Sequence, residues 1–239
     1  MAPNSGDILA TDFYPTDSYC FSMSELVDYY RQRAKEYEDV YYWKDSHRQE
    51  EQAIMADTIK SSLAGRKVLD IACGTGWWDR ILSETAKSIT GLDINKDVLE
   101  IAKTKEYGCP TRFQIGDAYE PPFPPAIFDG AIATFWISHI PKINLHQWID
   151  TLHRTLKQGS RVFLADNTNI PGIGGPVVTK EGDENTYKLR TLKDGSQHMI
   201  LKNYYSTSEL VEVFGRHVEG FGVENTFHGH CFYWVDYSI

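Results

Sequence analysis

The segment Lys67-Val-Leu-Asp-Ile-Ala-Cys-Gly-Thr-Gly76 is the most informative part of this sequence. Its first five residues form a short, mainly apolar run, which is typical of a strand buried on both faces. Gly74 and Gly76 then allow the backbone to turn sharply and to approach a ligand closely. The segment therefore predicts a buried strand, a ligand-binding loop and the start of a helix.

Four further short apolar runs follow this segment, and stretches with helical character separate them. The predicted strands cover residues 88–93, 111–115, 127–134 and 161–165, and predicted helices lie at about 77–86, 96–106 and 145–156. Strands that alternate with helices predict an α/β fold with a doubly wound, Rossmann-like sheet. Two closing strands, over 218–225 and 227–237, would bring the sheet to seven strands, and we expect the last of them to be antiparallel.

The segments outside this alternation predict additions to a single domain over residues 23–239. Residues 1–22 mix Pro, Ser, Asp and Gly and predict a flexible N-terminal arm. Residues 23–64 predict a helical cap, and residues 186–205 predict a β-hairpin, with a Gly-containing turn, inserted after the fifth strand. Ser206-Thr-Ser-Glu209 predicts a capping box at the start of a further helix.

The overall composition indicates a globular protein with a small partner. Of the 239 residues, 41% are hydrophobic, which suits one domain with a substantial core. The formal charge of -9 disfavours a nucleic-acid partner, because phosphate backbones are also negative. No apolar run is long enough to span a bilayer, and the first residues lack a secretory pattern. We therefore expect a cytoplasmic protein with no membrane partner, and its oligomeric state is left open.

The cysteines do not suggest a metal site or a disulfide framework. They are scattered along the chain and form no CxxC pair; they are Cys20, Cys73, Cys109 and Cys231. This pattern favours a reducing compartment and predicts that no metal is bound.

Three acidic residues mark the ends of the first three predicted strands. Asp70 ends the first strand, Asp93 ends the second, and Asp117 follows the third. Ligands of doubly wound sheets lie beyond the carboxyl ends of the strands, so these carboxylates should border one crevice. A carboxylate in the position of Asp93 can accept hydrogen bonds from both hydroxyls of a ribose.

A dinucleotide fits this crevice less well than a cationic ligand. The pyrophosphate-binding pattern G-x-G-x-x-G lacks its third glycine here, because Trp77-Trp78-Asp79 follows Gly76. Asp70 would also place a negative charge near the phosphates. A cationic ligand with an amino-acid tail is therefore favoured.

The same residues resemble the cofactor motifs of class I S-adenosylmethionine-dependent methyltransferases. Residues 68–76 resemble motif I, D-x-G-x-G-x-G, with Ala72 in place of its first glycine. Gly91-Leu-Asp-Ile94 is similar to the ribose motif and Gly116-Asp-Ala118 to the adenine motif. Residues 135–141, FWISHIP, resemble a WLSHVP-type segment of a small-molecule subgroup. The resemblance implies S-adenosylmethionine as cofactor, bound by Tyr30, Tyr37, Asp70, Ala72, Gly74, Gly76, Trp77, Asp93, Ile94, Asp117, Ala118 and Thr134.

Two further segments can be interpreted in more than one way. The segment between Tyr30 and Tyr37 is similar to a Y-x-x-x-A-x-x-Y helix that closes over the cofactor in related enzymes; the alternative is a plain amphipathic helix with its aromatic residues in the core. An aromatic face near a sulfonium would be favourable. Glu120-Pro-Pro-Phe123 mimics a motif of amino-methylating enzymes, but it follows the wrong strand and predicts a rigid loop.

The acceptor side of the site is predicted from four kinds of residue. His139, at the carboxyl edge of the sheet, is a candidate base, although it could instead fix the loop before Pro141. Trp78 and Trp136 would wall the substrate pocket, unless they only pack in the core. On the hairpin, Arg190 could bind a substrate carboxylate with Tyr204 nearby, or the hairpin is simply a solvated basic surface.

The sequence therefore predicts a methyltransferase that acts on an oxygen, either a hydroxyl or a carboxylate, of a small molecule. Oxygen is favoured because no amine-recognition motif follows the fourth strand. The alternatives are N-methylation of a small amine, methylation of a protein or RNA, and a binding module without turnover.

Overall fold

The apolar runs form strands in the computed structural model, which describes residues 23–239. The predicted flexible arm over 1–22 lies outside the described residues. The strands are β1 Lys67–Ile71, β2 Ser88–Asp93, β3 Thr111–Ile115, β4 Phe128–Thr134, β5 Leu156–Asn167, β6 Val177–Thr179, β7 Thr186–Thr191, β8 Gln197–Leu201, β9 Thr226–His228 and β10 Phe232–Ser238. Seven of them form one sheet in the order β3-β2-β1-β4-β5-β10-β9.

Helices cover both faces of this sheet. They are α1 Met23–Arg33, α2 Ser46–Ser62, α3 Trp77–Leu82, α4 Lys96–Lys103, α5 Lys142–Arg154 and α6 Thr207–Phe214. One apolar core joins α1, α5 and α6 to the sheet, and a second joins α2 and α3 to it. The predicted doubly wound α/β fold is confirmed. The helix predicted at the start of the cap is shorter than expected, since α1 gives way to a 3-10 helix over Ala34–Tyr42.

The strand directions bring the site residues to one edge. The first five strands are parallel, with β1 between β2 and β4, so their carboxyl ends share that edge. The last strand, β10, pairs antiparallel with β5, as predicted. The strand predicted over 218–225 is wrong. Gly220 has a φ of 72° and a 3-10 turn occupies Val223–Asn225, so pairing begins only at Thr226.

The insertion after β5 contains the predicted hairpin and one further strand. β7 and β8 pair antiparallel across the turn at 192–196, which confirms the hairpin. β6 pairs with β7 and makes a separate three-stranded sheet. Its three residues follow the glycine-rich loop at 171–176, and a run this short gives no alternating pattern in the sequence. The predicted capping box of α6 is also confirmed, because Ser206 and Glu209 cap each other's backbone.

Within residues 23–239, no helix is long and apolar enough to cross a membrane.

Candidate functional site

A cleft of about 740 Å³, open to solvent, lies at the carboxyl ends of β1 to β4. Nine of the twelve predicted cofactor residues line it: Tyr30, Tyr37, Ala72, Gly74, Asp93, Ile94, Asp117, Ala118 and Thr134. The predicted acceptor-side residues Trp136 and His139 line it as well. The sequence motifs therefore meet in one place, beneath α1 and the 3-10 helix that follows it.

The glycine-rich loop after β1 makes this close approach possible. Gly74 and Gly76 have φ values of 55° and 71°, in the left-handed region that favours glycine. Ala72, where the family motif has its first glycine, also has a positive φ of 57°. Phe135 at the end of neighbouring β4 has a φ of 62°. Two strained residues side by side at strand ends are a feature that clusters at functional sites.

Asp93 ties the loop to the end of β2. Its Oδ2 accepts a hydrogen bond from the Gly74 N–H at 2.9 Å, and its Oδ1 accepts one from the Asn95 N–H at 2.8 Å. Burial raises the pKa of Asp93 to about 6, and these two N–H donors oppose that rise. A carboxylate has about four acceptor sites, so both oxygens can still accept from a ligand.

Asn95 adds a donor that the sequence reasoning missed. Its Oδ1 caps α4 by accepting from the Asp97 N–H at 2.9 Å. Its Nδ2 is buried without a hydrogen-bond partner among the described residues, and Asn95 lines the cleft. A buried orphan donor is uncommon in proteins, so this amide is suited to a ligand acceptor. The N-cap pattern before α4 was the signal that could have identified it.

Asp117 lies at the rim of the cleft, beyond β3. Its side chain is exposed, and its Oδ1 accepts from the Tyr119 N–H at 2.8 Å. The neighbouring Gly116 N–H donates to the Asp93 carbonyl at 3.0 Å, which holds this turn against the end of β2. Asp117 thus offers free acceptor positions on the opposite side of the cleft from Gly74.

Asp70, by contrast, is not among the residues that line the cleft. It is buried behind the loop, where its carboxyl group meets that of Asp79 on α3. Both oxygens of Asp79 and Oδ1 of Asp70 lack a hydrogen-bond donor among the described residues. Burial raises the pKa of Asp79 to about 7, and burial together with the negative charge of Asp79 raises that of Asp70 well above its ordinary value. Two such carboxyl groups favour a shared proton.

This pair should make stability depend on pH. The pKa of Asp79 rises from 3.8 to about 7 on folding, so its contribution is fully present below pH 3.8 and is lost as pH rises toward 7. Asp79→Asn cannot ionise, and we expect it to be more stable than the parent protein at about pH 8, on the order of a few kcal/mol, with a flatter profile. Urea unfolding at several pH values measures this. Asp57→Asn, at an exposed position, is the control; an unchanged profile in Asp79→Asn would contradict the pairing.

Trp77, Trp78 and Gly76 also lie outside the lining of the cleft. The ring of Trp77 stacks on Tyr41 with centroids 4.6 Å apart, and Trp78 is buried in the core under α2. Gly76 forms the turn into α3. Trp136 is the predicted tryptophan that reaches the cleft. These positions favour packing for Trp77 and Trp78 over the predicted ligand contacts.

His139 lies in the 3-10 turn Ile137–His139, directly after β4. Its Nδ1 is 2.6 Å from the Leu201 carbonyl oxygen, and its Nε2 is 2.7 Å from the Tyr30 hydroxyl. A carbonyl can only accept, so Nδ1 carries the proton and Nε2 accepts from Tyr30. Burial, with the positive charge of Lys202, lowers the pKa of His139 to about 3. The imidazole is therefore neutral at physiological pH.

A buried ion pair fixes this turn to the insertion. Lys202 Nζ donates to Asp166 Oδ1 at 2.6 Å and to Ser138 Oγ at 2.7 Å. Asp166 Oδ2 accepts from the Ser138 N–H at 3.0 Å, and the Asn203 N–H donates to the Ser138 carbonyl at 2.8 Å. The sequence reasoning did not single out Asp166, although it lies near the end of β5. The network positions His139 beside the cleft.

Arg190 and Tyr204 line a second cleft that adjoins the first. The two clefts share Tyr30, Tyr37 and Phe135 as a common wall.

Other lining residues of the first cleft were missed by the sequence reasoning: Leu26, Val27, Asn95, Val98 and Phe135. Leu26 and Val27 lie one helical turn before Tyr30, and this spacing was the signal for them. Among the described residues, no group of three or more His, Cys, Asp and Glu side chains could hold a metal ion.

Comparison with known proteins agrees with this architecture. A family model described as a methyltransferase domain matches residues 68–159. The O-methyltransferase cnsE of Penicillium expansum is 31% identical over 158 residues, which cover 60% of this chain and 56% of that protein. The demethylmenaquinone methyltransferase of Lysinibacillus sphaericus (strain C3-41) is 32% identical over 124 residues, covering 48% and 52%. The chain spans about half the length of the curated relatives it matches.

Solved structures share the fold over most of the chain. A DhpI–SAH complex has a TM-score of 0.68 at 23% identity, covering 90% of this chain and 96% of that one. The PH0226 protein of Pyrococcus horikoshii OT3 has a TM-score of 0.64 at 20% identity, covering 88% and 98%. The sheet topology, the family-model match and the curated relatives therefore agree that residues 68–159 resemble a methyltransferase domain, within an α/β fold that the chain shares with the solved structures.

Proposed function

We propose that this protein is an enzyme that binds S-adenosylmethionine and transfers its methyl group to an oxygen of a small molecule. The observation that supports this most strongly is the cleft at the ends of β1 to β4. It combines Asp93, Asp117 and the unpartnered amide of Asn95 with the Tyr30–His139 pair at one wall.

The lining residues fit the parts of this cofactor. Asp93, at the end of β2, has free acceptor positions for the two ribose hydroxyls. Asp117 has free acceptor positions for the exocyclic amine of adenine. The Nδ2 of Asn95 can donate a hydrogen bond to a ring nitrogen or a hydroxyl of the cofactor. The rings of Tyr30 and Tyr37 lie 5.9 Å apart at the other wall, where aromatic faces suit a sulfonium. The bound cofactor would supply an already activated methyl group.

The residues of this chain would then align the acceptor and exclude water. Leu26 and Val27 of α1 cover the cleft with apolar surface. The unprotonated Nε2 of His139 can accept a hydrogen bond from the Tyr30 hydroxyl and, through it, orient an acceptor hydroxyl. Holding two reactants in line can contribute roughly 7–11 kcal/mol to such a reaction. This arrangement needs no strong base, because the C–O bond forms as the methyl–sulfur bond breaks, and the proton of an acceptor hydroxyl can then leave to solvent through the open cleft. A carboxylate acceptor carries no proton to lose, and both cases agree with the low basicity of His139.

The choice of a small molecule and of oxygen rests on two further observations. The curated relatives include proteins named O-methyltransferases and demethylmenaquinone methyltransferases. The segment after β4 carries His139 rather than an amine-recognition motif. The acceptor screen below distinguishes methylation of an oxygen from methylation of a small amine.

Titration calorimetry with S-adenosylmethionine, S-adenosylhomocysteine and NAD tests the cofactor. We expect both sulfur cofactors to bind and NAD not to bind at about pH 8, because the Asp93 carboxylate is ionised beside the loop and the loop lacks the third glycine of the pyrophosphate-binding pattern. Mass spectrometry of reactions with small alcohols, phenols, carboxylic acids and amines then identifies the methylated atom. Binding of NAD alone would overturn the proposal, and product formation only with amines would replace oxygen by nitrogen.

A further inference from the structure

The second cleft differs from the first in its charge. Five basic residues line it, against a single acidic residue, Glu36: they are Arg33, Arg48, Arg190, Lys193 and Lys202. The protein as a whole carries a formal charge of -9, so this excess of positive charge is local. Aromatic rings shared with the first cleft, including Tyr30 and Tyr37, form its inner wall.

Three of these cations already have partners. Lys193 Nζ pairs with Glu36 at 3.2 Å and with Asp39 at 3.6 Å. Lys202 pairs with Asp166, and Arg48 Nε donates to the Val40 carbonyl at 3.1 Å. The charges of both lysines are therefore paired within the protein, and the Arg48 guanidinium is buried against the ring of Phe232.

The guanidinium groups of Arg190 and Arg33 have few or no hydrogen-bond and ion-pair partners in the described part of the chain. The guanidinium of Arg190, which is partly buried, makes no hydrogen bond or ion pair with any described residue. Arg33 donates one hydrogen bond, from Nη1 to the Tyr29 hydroxyl at 3.0 Å, and has no ion pair within residues 23–239. A guanidinium has five N–H donors in a planar fork, and this fork matches an oxyacid group.

The glycine-rich loop over 171–176 packs closely against the side chain of Arg190. Arg190 and Lys188 point to the same face of β7, since they are two residues apart. Lys188 Nζ anchors the loop by donating to the carbonyls of Ile173 at 3.2 Å and Gly175 at 2.8 Å. A Cβ atom at Gly174 would collide with Nη1 of Arg190. The loop therefore holds the guanidinium in place while leaving its donors unpaired.

Arg190 also lies near the groups at the wall between the two clefts. Burial raises the pKa of Tyr30 and lowers that of His139, and the positive charge of Arg190 acts on both. Burial raises the pKa of Tyr204 to about 12, with Arg190 opposing the rise. Since Arg190 and Tyr30 line the same cleft, a group bound to Arg190 would share that cleft with the Tyr30 side chain.

We infer that the second cleft binds the methyl acceptor and that this acceptor is an aryl oxyacid, whose carboxylate or phosphate group lies between Arg190 and Arg33. This inference rests on the proposed function and names its substrate class. The aromatic ring of the acceptor lies against Tyr30, Tyr37 and Phe135, and this wall faces the cofactor cleft. The local positive charge recruits such an acid despite the acidic surface of the protein.

Ligand-observed NMR titrations with benzoate, phenyl phosphate and benzamide test the inference, with and without S-adenosylhomocysteine. We expect at least one acid to bind roughly tenfold more tightly than the neutral amide. Arg190→Gln should weaken binding of that acid by roughly tenfold and leave the amide unchanged. The tighter acid identifies the oxyacid that the cleft prefers.

Two further variants separate the geometry of Arg190 from its charge. Arg216→Gln removes a charge from the exposed end of α6 and should have no effect. Gly174→Ala keeps the charge but displaces the guanidinium, and it should weaken acid binding as Arg190→Gln does. Equal binding of acids and amide, or equal effects of Arg190→Gln and Arg216→Gln, would overturn the inference. Calorimetry with S-adenosylhomocysteine on the same samples tests the proposed function separately, because Arg190 is outside the cofactor cleft.

Discussion

Asp93→Ala is expected to weaken binding of S-adenosylmethionine by about 100-fold or more, since it removes the carboxylate that we propose accepts charge-assisted hydrogen bonds from the ribose. The loss is larger than for other lining residues because the same carboxylate also binds the Gly74 and Asn95 N–H groups. Without it, the loop after β1 loses its attachment to β2. Calorimetric titration of the variant beside the parent protein measures the change.

A matched control separates ligand contact from loss of structure. Glu100→Gln removes a charge from the exposed face of α4, close in sequence, and should bind the cofactor normally. Asp93→Asn keeps one acceptor oxygen but places its NH2 group against the second backbone N–H, so it should unfold between the temperatures of the parent and of Asp93→Ala while still binding poorly. Parent-like affinity in Asp93→Asn would show that the carboxylate does not contact the cofactor.

The fold and the cofactor cleft were predictable because both follow from local sequence. Buried strands appear as short apolar runs, and the loop after β1 is marked by Gly74 and Gly76. In a parallel sheet, residues that end neighbouring strands must lie at one edge, so Asp93 and Asp117 could be placed there without a structure. Nine predicted cofactor residues therefore line one cleft.

The direction of individual side chains was not predictable in this way. Asp70 lies one residue before the end of β1, but its buried carboxyl group meets that of Asp79 on α3 and does not line the cleft. Trp77 and Trp78 open α3 next to the loop, yet the 3-10 helix and α2 supply apolar partners that draw their rings away from the cleft. These outcomes depend on packing between segments that are distant in sequence.

The polar supports of the acceptor side were also beyond sequence reasoning. Lys202 and Asp166 are 36 residues apart and meet only because the insertion folds back on the end of β5. The tautomer of His139 depends in turn on the Leu201 carbonyl. An isolated histidine in a sequence cannot show which of its nitrogen atoms is free, whereas a carbonyl at 2.6 Å decides it.

His139→Ala is expected to lower turnover by about 100-fold, with any acceptor that gives product, while affinity for S-adenosylhomocysteine stays close to that of the parent. The imidazole accepts a hydrogen bond from the Tyr30 hydroxyl. Without the imidazole, this hydroxyl is no longer held in one orientation toward the acceptor. Tyr30→Phe should have a similar effect on turnover. Because the two groups act as one unit, the double variant should be little worse than either single variant.

The pH dependence of this pair distinguishes an orienting imidazole from a titrating base. The pKa of His139 is lowered to about 3, so Nε2 is unprotonated throughout the working range. Turnover should therefore show no inflection from this group between about pH 5 and pH 8. Nitrogen-15 NMR of the imidazole checks the same point without an acceptor, and we expect a proton on Nδ1 at every pH. An inflection near pH 6.5 that disappears in His139→Ala would instead make His139 a general base, whose burial is relieved when the acceptor binds.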